Sequence, residues 1–202
     1  MILKDTLRAI VKSQKDSFLS FDKSIEREKL SQIDLKVPFA LAISGIRRCG
    51  KSTLLGQITK KIKGFYYFNF EDPRAINFEL EDFQKLDDVF TEKYGKQKYY
   101  FFDEIQNVQR WELFVRSILD QNKYVIITGS NASLLSRELG TKLTGRYIRY
   151  ELFPFSFREF LKLNNKEPGM GSFQEYFIKG GFPEYLKLGK AEILQELLND
   201  IL

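Results

Sequence analysis

The chain has 202 residues, of which 43% are hydrophobic, and a formal net charge of +5, so it is long enough to bury one globular core. It contains no histidine, which excludes histidine acid–base catalysis and histidine metal ligation, and its single cysteine, Cys49, excludes intramolecular disulfides and cysteine-cluster zinc sites. No apolar run has the length of a membrane span and the first residues lack a signal-peptide pattern, so we expect a cytoplasmic protein without membrane association.

The first predicted element is a helix within residues 3–18. Its apolar residues recur at the spacing of one helical stripe: Leu3, Leu7, Ile10, Val11 and Phe18. The stretch 20–36 that follows is polar and charged. This order predicts an N-terminal helical segment at 1–36 ahead of a core domain at 37–156.

Residues 45–52, Gly-Ile-Arg-Arg-Cys-Gly-Lys-Ser, match a complete phosphate-binding loop, Gly-x-x-x-x-Gly-Lys-Ser/Thr. Glycine at both ends of the loop permits backbone conformations that let successive N–H groups surround phosphate oxygens. We predict that Lys51 reaches the β- and γ-phosphates, that Ser52 binds Mg²⁺ and that Thr53 reaches the α-phosphate. The residues predicted to surround the nucleotide are Gly45, Ile46, Arg47, Arg48, Cys49, Gly50, Lys51, Ser52 and Thr53.

Strands and helices alternate around this loop. The apolar run at 38–44 is typical of a buried strand, and the residues after the loop carry apolar side chains at helical spacing. Further strands are predicted at 65–70, 98–104, 124–128 and 147–153, with helices around 83–90 and 111–119, and helices at 157–163, 173–178 and 191–202. The pattern predicts an α/β P-loop NTPase fold with a five-stranded parallel sheet sandwiched by helices, plus a small helical C-terminal region.

The third predicted strand ends in two carboxylates. Four large aromatic residues precede Asp103 and Glu104, an arrangement that resembles a Walker B motif. We predict that Asp103 binds Mg²⁺ and that Glu104 polarises the water that attacks the γ-phosphate, because a base needs to lie within hydrogen-bond reach of its proton. A structural role at a strand end is the alternative, and the position downstream of a phosphate-binding loop favours the catalytic one.

Three more polar residues are candidates for catalytic roles. The fourth strand ends in Thr128-Gly-Ser-Asn, where either Ser130 or Asn131 is predicted to position the attacking water, with helix capping as the alternative. Arg146 precedes the fifth strand, and we predict that it contacts the γ-phosphate in cis or reaches a neighbouring subunit. A surface salt bridge is the alternative for Arg146.

Adenine is the expected base, and ATP with Mg²⁺ the expected cofactor pair. Guanine-specific sites carry Asn-Lys-x-Asp, and the nearest stretch, 122–125, has Val125 in place of the base-reading aspartate. The modest, dispersed positive charge is compatible with a DNA partner and does not require one.

The order of these motifs resembles the prokaryotic AAA-type ATPases of the AAA_14 group, over about residues 38–187. Beside the loop and Asp103-Glu104, which Ile105-Gln106 and a downstream Trp111 follow, the resemblance rests on four more segments. They are Thr128-Gly-Ser-Asn-Ala-Ser-Leu-Leu135, Leu143-Thr-Gly-Arg146, Glu151-Leu-Phe-Pro-Phe-Ser-Phe-Arg-Glu-Phe160 and Gly180-Gly-Phe-Pro-Glu184. The resemblance implies an AAA/ASCE-like core and a homo-oligomer as the expected assembly. Family members usually continue into a further C-terminal domain, so residues 157–202 are predicted to be a helical lid or the start of such a domain, and the apolar residues of 191–202 favour a fragment.

The predicted function is Mg²⁺-dependent ATP hydrolysis. The alternative is an ATP-gated binding module for a protein or DNA partner that hydrolyses ATP slowly or not at all. A small-molecule P-loop kinase is a weaker alternative, because residues 154–185 offer mainly Arg158 where a lid rich in arginines is expected.

Overall fold

The computed structural model describes residues 1–20, 24–130, 140, 143–190, 192 and 194–195. A five-stranded parallel sheet forms its centre, in the spatial order β2-β3-β4-β1-β5. The strands are β1 (Ala40–Ser44), β2 (Tyr66–Asn69), β3 (Tyr99–Asp103), β4 (Tyr124–Gly129) and β5 (Tyr147–Glu151). The five predicted strands and their parallel arrangement are confirmed.

In the part of the chain that the structure describes, helices precede, connect and follow the strands. They are α1 (Lys4–Ser20), α2 (Lys51–Thr59), α3 (Asp82–Tyr94), α4 (Trp111–Asp120), α5 (Phe157–Asn164), α6 (Met170–Lys179) and α7 (Pro183–Leu188). Helix α7 was not predicted, because Gly180 and Gly181 suggested only an interruption, but Pro183 begins it at the first helical position, where its missing N–H costs nothing. The helix predicted at 191–202 lies outside the described residues, apart from residues 192, 194 and 195.

The apolar core occupies both faces of the sheet. Side chains alternate between faces along each strand, so Tyr66 and Phe68 of β2 pack with α1 and α3, while Tyr67 between them packs on the α2 side. On β3, Phe102 faces the α3 and α4 side and Phe101 the α2 side. Burial of the sheet on both faces explains why β1 and β3 are nearly continuous apolar runs, whereas the edge strand β5 includes Arg149 and Glu151.

The register of the sheet fixes which residues meet at its carboxyl edge. Ser44 of β1 pairs with Gly129 of β4, and β3 lies on the other side of β4. The segment after β1, the end of β3 and the end of β4 therefore come together at one edge of the sheet. This is the crevice where open parallel sheets bind their ligands.

Candidate functional site

The phosphate-binding loop connects β1 to α2. Gly50 lies in the left-handed region, with φ 99°, immediately before Lys51 begins the helix. A Cβ on Gly45 would lie 2.3 Å from the carbonyl oxygen of Leu152, so only glycine allows this close approach of two backbone segments. The loop thus packs against the segment that follows β5. The N-terminal end of α2 points into the loop, as an anion-binding site requires.

Lys51 lies between the loop and the end of β3. Its Nζ donates to the carbonyl oxygens of Gly45, at 3.2 Å, and Ile46, at 3.3 Å, and lies 3.4 Å from Oε1 of Glu104. The side chain is only 5% exposed, so its charge is held inside the site by the loop and by one carboxylate.

The carboxyl group of Asp103 is buried at the end of β3. It accepts hydrogen bonds from the hydroxyl groups of Tyr67, at 3.1 Å, of Thr128 and of Ser52. Burial raises the pKa of Asp103 above its usual range and the charge of Glu104 raises it further, while the three hydroxyl groups act in the opposite direction. A cation at this carboxylate would compensate the burial of its charge.

Glu104 has an unusual backbone conformation. Its φ of 52° places it in the left-handed region, which a non-glycine residue adopts at a cost and which is frequent at functional sites. Its N–H donates to the hydroxyl of Thr128 at 2.9 Å. Its Oε2 accepts from the backbone N–H of Ser130, at 2.8 Å, and from Nε2 of Gln106, at 2.7 Å.

Two residues in this cluster were missed from the sequence, Thr128 and Tyr67. Thr128 is fully buried and contacts both Asp103 and Glu104. A polar residue closing the apolar run of the fourth strand was the available signal. Burial and the neighbouring carboxylate of Asp103 raise the pKa of Tyr67, so its hydroxyl remains a hydrogen-bond donor.

Of the two residues predicted to position the attacking water, only Ser130 lies within the described part of the chain. Ser130 lies beside Glu104, and its observed contact is made by its backbone N–H. Asn131 lies outside the described residues. The choice between them therefore stays a prediction.

The predicted contact of Arg146 with the γ-phosphate in cis is wrong. Arg146 precedes β5, and Tyr147 pairs with Ala40 at the start of β1, about 13 Å along the strand from the loop end. Its guanidinium pairs with Asp120, 2.8 Å away, at the amino edge of the sheet. The geometry supports the alternative, a surface salt bridge, and a role towards a neighbouring subunit stays a prediction.

The remaining loop residues are distributed around the site. Arg47 is exposed and pairs with Glu71 after β2, at 2.8 Å, and Arg48 pairs with Glu184 of α7, at 3.3 Å.

The other loop residues are partly or fully buried. Cys49 is buried, which raises the pKa of its thiol and agrees with a packing role. Ile46 packs partly buried on the α2 side of the core, and Thr53 is half-buried in the first turn of α2.

Arg27, which the sequence did not single out, supports the loop from behind. Its guanidinium donates to the carbonyl oxygens of Cys49 and Phe153, both at 2.7 Å, and to the carboxylate of Glu159, at 2.8 Å. Both members of this ion pair are buried, with side chains 3% and 4% exposed. Arg27 thereby ties the segment before β1, the loop and the first turn of α5 together.

The donors at the site suit a magnesium ion. Mg²⁺ in phosphate sites takes one or two protein oxygens and completes its shell with phosphates and water. Ser52 and Asp103 supply a hydroxyl and a buried carboxylate in mutual contact. Within the described residues there is no group of three or more carboxylates and thiols that could hold a metal ion without phosphates. A cavity of about 460 Å³ adjoins this pair and extends to Ser17 and Phe18 of α1.

Comparison with known proteins identifies the family. Residues 38–161 match the AAA_14 family of AAA domains, which is more than half of the chain. The chain belongs to the AAA_14 family. An uncharacterized protein of Methanocaldococcus jannaschii is 38% identical over 173 residues, and an uncharacterized protein of Haemophilus influenzae is 37% identical over 163. The matches cover 79% and 72% of this chain, respectively. They cover only 39% and 40% of the two relatives, so this chain spans about two-fifths of the length of each.

Solved structures agree with an AAA fold. A signal transduction ATPase with a tetratricopeptide repeat sensor from Pyrococcus horikoshii superposes with a TM-score of 0.52 at 15% identity, and the match covers 89% of this chain and 32% of that one. The AMPPCP-bound DnaA of Aquifex aeolicus superposes with a TM-score of 0.51 at 15% identity, and the match covers 96% of this chain and 62% of that one. The resemblance to AAA-type P-loop ATPases that the motifs suggested is thus confirmed, and this AAA domain is of the nucleotide-binding P-loop ATPase class.

Among the helices of the described residues, none combines the length and apolar character that crossing a membrane requires.

Proposed function

We propose that this AAA_14 domain binds ATP together with Mg²⁺ and hydrolyses it. One observation carries the proposal, the convergence of Lys51, Asp103 and Glu104 at the carboxyl edge of the sheet, with the lysine Nζ 3.4 Å from Glu104 Oε1. A cation next to the loop and a carboxylate held beside it are the groups that phosphoryl transfer to water needs.

Each residue has a distinct part in this chemistry. Backbone N–H groups of the loop and Lys51 hold the phosphates, Ser52 and Asp103 would hold Mg²⁺, and Glu104 accepts a proton from the attacking water. Mg²⁺, when bound, neutralises charge on the phosphate oxygens. No covalent intermediate is required, because positioning and electrostatic stabilisation account for most of the catalysis in this reaction class.

Replacement of Lys51 by alanine is expected to weaken ATP binding by at least about tenfold, which corresponds to the loss of one charged hydrogen-bonding partner of roughly 1.5–3 kcal/mol. Titration of both proteins with ATP in a calorimeter measures the effect. Lys63→Ala, at an exposed lysine beyond the end of α2, is the matched control and should bind like the wild type. Unchanged ATP affinity in Lys51→Ala would contradict the assignment of the loop.

A second candidate function, an ATP-gated binding module, has one contact in its favour. Arg48 of the loop pairs with Glu184 of α7, so nucleotide phosphates would compete with Glu184 for this guanidinium. Residues 157–202 would then act as a lid whose position reports nucleotide occupancy to a protein or DNA partner. Partner affinity with and without ATP, measured beside turnover, distinguishes a gated module from a hydrolysing enzyme.

A further inference from the structure

We propose that Gln106 is the positioning residue for Glu104, and that it holds one carboxylate oxygen so that the other faces the phosphates. This inference rests on the proposed hydrolysis of ATP. Gln106 lies in the one-turn 3₁₀-helix Ile105–Asn107 that directly follows Glu104. Because this turn is tight, the side chains of Glu104 and Gln106, which are two positions apart in the sequence, come into contact.

The two oxygens of Glu104 have different environments. Oε2 accepts two hydrogen bonds, from Nε2 of Gln106 at 2.7 Å and from the N–H of Ser130 at 2.8 Å. Oε1 instead lies 3.4 Å from the Nζ of Lys51. When phosphates engage Lys51, Oε2 remains fixed by its two donors and Oε1 becomes the oxygen that accepts a proton.

The orientation of the Gln106 amide is determined by this contact. Reversing the amide would direct its oxygen at Oε2 of Glu104, where two acceptors would repel each other. In the observed orientation, Oε1 of Gln106 is buried and accepts no hydrogen bond from any residue that the structure describes.

The backbone strengthens the argument. Glu104 itself is held in the left-handed region, and its N–H is fixed by Thr128. Ile105, which is fully buried, anchors the turn that carries Gln106. The main chain of Glu104 and its Oε2 are therefore both fixed. The orientation of the carboxylate is thereby defined, with Oε1 on the side of Lys51.

Gln106→Met tests the role of the amide, because it keeps the length of the side chain and removes the donor. We expect kcat for ATP hydrolysis to fall about 10- to 100-fold, as for a misplaced reacting group, with KM within about twofold of the wild type. Gln109→Met, at an exposed glutamine three residues further on, is the matched control and should retain the wild-type kcat. Gln106→Glu keeps the shape but sets a second carboxylate against Oε2, so its kcat should fall further still. Thermal melting and ATP affinity establish that each variant folds.

A double-mutant cycle with Glu104→Gln decides whether Gln106 acts through Glu104. If it does, Gln106→Met lowers the residual rate of Glu104→Gln by less than about twofold, because the coupled group is already lost. Full additivity, or a Gln106→Met or Gln106→Glu enzyme with the wild-type kcat, overturns the inference while the proposed hydrolysis stands. A wild-type protein that releases no phosphate from ATP overturns the proposed hydrolysis and this inference with it.

Discussion

Glu104→Gln is expected to lower the rate constant of ATP hydrolysis by roughly 100- to 10,000-fold, the usual contribution of a positioned base. Glutamine keeps the size of the side chain but cannot take a proton from water. The carboxylate of Glu104 is only partly exposed and faces Lys51, so bulk buffer is a poor substitute for it. Single-turnover hydrolysis with enzyme in excess over ATP measures the chemical step directly.

The variant should still bind ATP, since the loop and Lys51 are unchanged. Tight binding with little turnover separates the loss of a base from the loss of the site. Glu81→Gln, at an exposed glutamate before α3, is the matched control and should hydrolyse ATP like the wild type. A Glu104→Gln protein as fast as the wild type would exclude Glu104 as the base.

Arg27→Met is expected to lower the free energy of unfolding by about 3–5 kcal/mol, because it leaves Glu159 as a buried charge without its partner. The same change also removes donors to the carbonyl oxygens of Cys49 and Phe153. For a domain of this size the loss corresponds to a fall in Tm of about 6–20 °C. Denaturant and thermal unfolding followed by circular dichroism measure both quantities.

The partner variant shows whether the ion pair itself is responsible. Arg27→Met combined with Glu159→Gln removes both charges, while the amide oxygen of glutamine can still accept a hydrogen bond from the backbone N–H groups that Glu159 serves, and part of the lost stability should return. Arg8→Ala, at an exposed arginine that pairs with Asp5 and Glu92, is the control and should leave Tm nearly unchanged. A double variant less stable than Arg27→Met alone would contradict this account of the pair.

The residues that could be predicted from the sequence are those whose roles depend on short segments. The loop at 45–52 is one contiguous pattern, and Asp103 with Glu104 follows one strand, so local order was sufficient to predict that they meet at one edge of a parallel sheet. Strands β1 and β3 were recognised for the same reason, since each is a run of mostly apolar residues.

The residues that could not be predicted depend on contacts between distant segments or on a local backbone conformation that the pattern does not indicate. Arg27 and Glu159 are 132 positions apart, and no periodicity relates them. Gln106 is close to Glu104 in sequence, but its role depends on a left-handed residue and a 3₁₀ turn that the pattern does not indicate. Arg146 is different, because a residue directly before a parallel strand lies at the amino edge of the sheet, and this rule could have excluded the cis contact.

The most direct test of the central claim is the release of inorganic phosphate from ATP by the purified chain. We predict release that requires Mg²⁺, stops in excess EDTA and is lost in Lys51→Ala. Protein that binds ATP tightly but releases no phosphate in the presence of Mg²⁺ would contradict hydrolysis at this site and would favour the ATP-gated binding module.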